Sequence, residues 1–297
     1  MNAIKHIDEL ISKFIDNGRF KPNILTCEET IEVIEKEQLS ICRYGDGEFN
    51  MMLGRSENIK FQLSDTLLSK KLLDVFQEEN PKALICIPKV FDWKDRLLMN
   101  RTGRRFWSRH LKRQSSEFYK LIESRSVYGD SRISRPYIDT LKIPFNYKRS
   151  CSIFNKIKKL WDNKKILVIE GALTRFGVGN SLLSNAKSVH RILCPPENCW
   201  FKYNQIFEAA IKYSSDIDIV LASLGPTATI LASDLSKIGI WCLDIGHLDI
   251  EYEWFLARAH KKIIIDGKYI NEVNGGSNVI TPREDGQFTS QIVEIIT

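Results

Sequence analysis

The chain has 297 residues, 43% hydrophobic and 27% charged, a balance that excludes a disordered or low-complexity polymer and fits a large globular α/β unit. Its net charge of +6 is local in origin: Lys94, Arg96, Arg101, Arg104, Arg105, Arg109, Lys112 and Arg113 crowd into one stretch with the single acid Asp95. The remainder is close to neutral, which excludes a globally basic nucleic-acid coat and leaves 94–113 as a patch for phosphates, an anionic acceptor, a membrane surface or a partner protein.

In chain order, the first 40 residues have helical spacing, and residues 3–11 alternate apolar and charged side chains where a signal peptide would be continuously apolar. Residues 39–44 are expected to form a strand that runs into the turn Gly45-Asp46-Gly47. A second strand, Ala83–Ile87, stops at Pro88, and the pattern is then helical and charged to about Leu141, with an interruption near 127–130. After Lys164, β-rich runs at 166–169, 188–193, 217–222, 241–245 and 263–265 alternate with helical segments. This alternation predicts βαβ units in a Rossmann-like, doubly wound, mostly parallel sheet with helical N-terminal additions. One α/β domain over 1–297 is expected, with an N-terminal part to about 150, a Rossmann-like part over about 151–270 and a tail over 271–297.

The seven cysteines are scattered, without a Cys-x-x-Cys pair, and are expected to be reduced core residues of a cytoplasmic protein. No apolar run approaches the roughly 20 residues that cross a bilayer.

Ligands of doubly wound sheets bind beyond the carboxyl ends of the strands. Four loops stand there. In Arg43-Tyr44-Gly45-Asp46-Gly47-Glu48-Phe49, two carboxylates one residue apart can hold a divalent cation that bridges a diphosphate, although Asp46-Gly47 also serves as a plain turn. In 170–180, glycines and a helix start can cradle phosphate, with Arg175 adding charge. The run 223–229 repeats that arrangement, with Thr227 able to cap a helix or meet a phosphate. In 244–254, His247 precedes Asp249, Glu251 and Glu253, more acids than a helix dipole needs.

The runs at 43–49, 174–180, 224–229 and 244–254 closely resemble the GT-D-type glycosyltransferases over roughly residues 25 to 270. The resemblance implies a metal-dependent enzyme that moves a sugar, typically glucose from UDP-glucose, to a glycan on a surface glycoprotein or polysaccharide. It implies a metal motif at Asp46 and Glu48, and His247 is expected to complete it with Mn²⁺ or Mg²⁺. Nucleotide contacts are expected at Arg43, Tyr44, Gly45, Thr174, Arg175, Gly177, Gly179, Asn180, Gly225, Pro226 and Thr227. The expected general base is Glu253, with Asp249 second, because they share a helix face. A nucleotide-binding oxidoreductase is disfavoured because no acid follows a G-x-G-x-x-G loop at ribose distance. A nucleic-acid module using 94–113, with Phe106 and Trp107 as stacking platforms, is the other alternative, and no nucleic-acid partner is expected.

Overall fold

The computed structural model describes residues 21–55, 61–279 and 285–297, so the helical pattern of positions 1–20 lies outside the described residues. The elements are α1 (Cys27–Glu37), β1 (Ser40–Arg43), α2 (Asp46–Met52), α3 (Thr66–Gln77), β2 (Ala83–Ile87), α4 (Arg101–Lys112), α5 (Ser116–Glu123) and β3 (Gly129–Asp130). There follow α6 (Pro144–Lys159), β4 (Lys165–Gly171), β5 (Ser188–Cys194), α7 (Tyr203–Tyr213), β6 (Ile219–Ser223), α8 (Pro226–Lys237), β7 (Cys242–Asp244), α9 (Leu248–Leu256), α10 (Gly286–Ser290) and β8 (Ile292–Ile295).

These strands make one sheet in the order β3-β2-β1-β7-β6-β4-β5-β8, and every neighbouring pair is parallel. A parallel sheet must be covered on both faces, and the central strands show how. In β4, Leu167 and Ile169 join one apolar cluster, with Phe49, Phe76 and Phe118. Ile166 and Val168 join the other, with Trp161 and Trp254. Val220 and Ala222 of β6 repeat the first assignment and Ile219 and Leu221 the second, as a period of two requires. Local signals set the helix ends: Thr26 and Glu29 form a reciprocal capping box at α1, and Gln38 closes that helix in the left-handed conformation. No helix among the described residues is long and apolar enough to cross a membrane.

Several elements differ from the sequence expectation: the turn expected at 45–47 is the start of α2, and no helix begins in 170–180, because residues 172–187 are turns and bends between β4 and β5. Residues 263–265 are apolar but not a strand; they belong to an irregular strap, residues 257–279, where the Ile263 carbonyl accepts the Trp254 indole N–H at 2.9 Å. The interruption near 127–130 is the edge strand β3, and the tail supplies the opposite edge strand, β8.

Where β1 and β7 meet at the middle of the sheet, the Arg43 guanidinium donates to the Asp244 carboxylate at 2.8 Å, to its carbonyl at 2.7 Å and to Ser134 Oγ at 2.5 Å. The carboxylate also accepts from the Arg43 N–H at 3.2 Å and from Thr229 of α8 at 3.0 Å. The guanidinium lies on Gly246, whose φ is +42° and where a Cβ would stand 2.0 Å from Arg43 Nη2. Gly246→Ala should therefore displace Arg43 and cost about 2 kcal/mol or more of stability in urea denaturation. An unchanged denaturation midpoint would show that the contact does not constrain the fold.

Candidate active site

Because all strands run the same way, their carboxyl ends share one edge, and the loops there open into a cavity of about 830 Å³. That volume is within the range of small-molecule sites, about 300–1,000 Å³. Among the segments that line it, four carry sequence motifs: Arg43, Gly45, Asp46 and Glu48 after β1, Thr174 after β4, Gly225 after β6, and His247 after β7. These are the strand-end loops in which the sequence motifs lie.

Asp46 opens α2, and Glu48 sits in the same first turn, its Oε2 accepting the Gly45 N–H at 2.9 Å. Burial pushes the Glu48 carboxyl up to about 7, against the pull of that hydrogen bond. Among the described residues no three His, Cys, Asp or Glu side chains form a group that could hold a metal ion. Two carboxylates still match one kind of ion, a Mg²⁺-like cation that keeps several waters and takes its remaining ligands from substrate phosphates. The donor set at Asp46 and Glu48 has that character, in contrast to an all-protein cage.

His247 precedes α9, and its Nε2 lies 3.1 Å from Glu272 Oε1. Burial lowers the ring to about 4, so at neutral pH the imidazole is uncharged and gives its Nε2–H to Glu272. Burial alone would raise the Glu272 carboxyl, but it is held well below the usual carboxylate range by Arg135, whose Nη1 and Nη2 lie 2.5 and 3.1 Å from its oxygens, and by Lys262. Arg135 also reaches Asp139 at 3.4 Å and Glu251 at 4.0 Å. Glu251 accepts the N–H groups of Tyr137 and Ile138 at 3.0 and 2.9 Å, and burial pushes it up to about 7. Arg135, Asp139, Lys262 and Glu272 all line the cavity, and none was singled out from the sequence. Glu272 sits in the irregular strap, where no periodicity marks a functional acid.

The remaining candidates have other surroundings. Tyr44 is fully buried, its hydroxyl donating to the Leu72 carbonyl at 2.7 Å. Arg175, at φ +50°, turns to the C-terminal segment, 3.4 Å from Asp285 and over the Phe288 ring. The Gly177 N–H donates to Asp249 at 2.9 Å, and the Asn180 amide donates to Asp249 at 2.8 Å and Glu253 at 2.7 Å. Lys268 of the strap completes that cluster, 2.6 Å from Asp249 and 3.0 Å from Glu253. Gly177, Gly179, Asn180, Asp249 and Glu253 thus lie outside the cavity lining, as do Pro226 and Thr227 at the start of α8. Thr227 is fully buried, and its Oγ1 has no hydrogen-bond partner among the described residues. Phe106 and Trp107 of the basic stretch do line the cavity.

Comparison with known proteins identifies the family of this fold. Residues 41–273 match the family model described as the glycosyltransferase GT-D fold. The chain is 36% identical over 273 residues to a probable glycosyl transferase Gly of Streptococcus gordonii, covering 91% of this chain and 38% of that relative. It is 35% identical over 268 residues to glycosyltransferase GlyD of Streptococcus pneumoniae serotype 4, covering 90% of this chain and 31% of that one. The chain therefore spans about a third of the length of these curated relatives. Among solved structures, one described as a domain of unknown function 1792 with a distinct glycosyltransferase fold superposes with a TM-score of 0.87 at 34% identity, covering 98% of this chain and all of that one. A second, described as a new glycosyltransferase from Streptococcus sanguinis, gives 0.84 at 35% identity over 93% of this chain and all of that one. The wholly parallel sheet, the loops gathered at its carboxyl edge and these matches together make the chain a member of the GT-D-fold glycosyltransferase family.

Proposed function

We propose that this glycosyltransferase takes its sugar, glucose, from a UDP-sugar and passes it to a glycan on a surface glycoprotein or polysaccharide with the help of Mn²⁺ or Mg²⁺. The observation that carries this reading is that Asp46, Glu48, Thr174, Gly225 and His247, from four separate loops, line a single cavity. The transfer breaks the bond between the anomeric carbon and the diphosphate and forms one to an acceptor oxygen, whose proton must leave. Negative charge grows on the departing diphosphate. Lys261 and Lys262 face the cavity where that charge can be met. Thr174 and Gly225 offer hydroxyl and backbone donors, as phosphate-binding loops do.

Asp46 and Glu48 would hold the cation, and His247, with Nε2 occupied by Glu272, has Nδ1 left for it. When bound, that ion supplies positive charge that polarises the diphosphate. Asp46→Asn removes the carboxylate while keeping its shape. Metal-dependent release of UDP from UDP-glucose should fall at least about 10²-fold in this variant, with the fold intact by circular dichroism. Full activity at the same metal concentration would contradict the assignment.

Asp249 and Glu253 act on the strap. Their carboxylates hold Lys268, and through it the segment that carries Glu272. Glu253→Gln should therefore cost ~1 kcal/mol of stability and leave the turnover number within a few-fold. A fall of about 10² in turnover at unchanged stability would return the general base to Glu253.

A further inference from the structure

Glycosyl transfer brings a second ligand to the donor, and one wall of the same cavity has a chemistry suited to it. In sheet order, the loops after β7, β6 and β4 lie on one side of β1, whereas β2 and β3 lie on the other. The Asp46–Glu48 loop, which follows β1, stands between the two sides. Elements that follow β2 and β3 supply α4 and the segment with Asp139, and both line the cavity.

Thr102, Gly103, Phe106 and Trp107 of α4 share one helix face and turn it to the cavity. Phe106 is 39% exposed although the Trp107 ring meets it edge-on at 5.3 Å and the His110 ring stacks at 5.9 Å. The helix bearing these rings is firmly seated. Asn100 caps it through the Gly103 N–H at 2.8 Å, and the Asn100 N–H donates to the Asp139 carbonyl, also at 2.8 Å. Its side-chain amide donates to the Ile138 carbonyl at 3.1 Å. The Asp139 carboxylate, one-third exposed, lies near the same junction, 3.4 Å from Arg135.

A pyranose has an apolar C–H face and a rim of hydroxyl groups. An exposed aromatic face accepts the first, and a planar carboxylate accepts hydrogen bonds from the second. We infer that Phe106, Trp107 and Asp139 form the acceptor subsite, where a sugar ring of the acceptor glycan lies on the aromatic shelf and donates a hydroxyl hydrogen bond to Asp139. This rests on the glycosyl-transfer reading above and adds where the acceptor sits. It also separates the two substrates across the Asp46–Glu48 loop, with the nucleotide on the β7, β6 and β4 side.

The test uses cellobiose and N,N′-diacetylchitobiose as acceptor probes in saturation-transfer NMR on the full chain, with and without UDP and Mn²⁺. Both Phe106→Ala and Asp139→Asn should weaken disaccharide binding at least fivefold, Phe106→Tyr should restore it to within twofold, and UDP affinity should stay within twofold throughout. Loss of UDP affinity in Phe106→Ala would make the shelf a nucleobase platform and overturn the inference. So would absence of saturation transfer to either disaccharide with the wild-type chain. A wild-type chain that binds disaccharide but no UDP would count against the donor reading alone, because the disaccharide arm without nucleotide reads the shelf independently.

Discussion

The ion pair between Arg43 and Asp244 is the contact on which the geometry of the carboxyl edge depends. Both charges are largely withdrawn from water, with side-chain exposures of 14% and 1%, and such a pair is tolerable only when every oxygen and N–H is engaged. Here one carboxylate accepts from the Arg43 side chain and backbone and from Thr229, while the guanidinium also takes the Asp244 carbonyl and Ser134. A single pair therefore ties β1, β7, α8 and the segment after β3. The two loops that leave this knot carry Asp46 and Glu48 in one case and His247 in the other. Their relative position is set by buried, directional bonds, and Gly246 keeps the space the guanidinium needs.

A second network closes the site from the strap side. Glu272 gathers Arg135, Lys262 and His247, while Lys268 is held by Asp249 and Glu253. Tyr269 adds a backbone bond to the Leu173 carbonyl at 3.0 Å and a hydroxyl bond to Glu197 at 3.0 Å. An irregular segment of this length has few backbone partners of its own, so its order must come from such side-chain ties. The acids of the α9 motif thus divide their duties: Glu251 braces the 137–138 backbone, and Asp249 and Glu253 fasten the strap.

Much of this was legible in the sequence, for identifiable reasons. The runs at 166–169 and 217–222 are apolar at nearly every position, and, alternating with helical segments, that is the pattern of a parallel sheet covered on both faces. The loops carrying Asp46, Thr174, Gly225 and His247 were located because strands end just before them. Residues 263–265 misled because three consecutive isoleucines satisfy a strand pattern, whereas in the strap Ile263 and Ile265 pack on the core and Ile264 is exposed. The two residues of β3 are too few for any period to register. Glu253 attracted attention as one acid too many near a helix start; the cation that explains it, Lys268, lies beyond the helix in a segment without pattern. Arg135 and Asp139 are four residues apart but lie in an irregular segment, and Glu272 joins them only through tertiary folding, so local spacing did not reveal the group.

The donor assignment is tested most directly by titration calorimetry of UDP into the wild-type chain, with Mn²⁺ and with a chelator in its place. Saturable binding near one UDP per chain that tightens at least about tenfold with Mn²⁺ is the expected result, because a metal held by two carboxylates gains its remaining ligands from the diphosphate. Absence of UDP binding in either condition, or equal affinity in both, would contradict it.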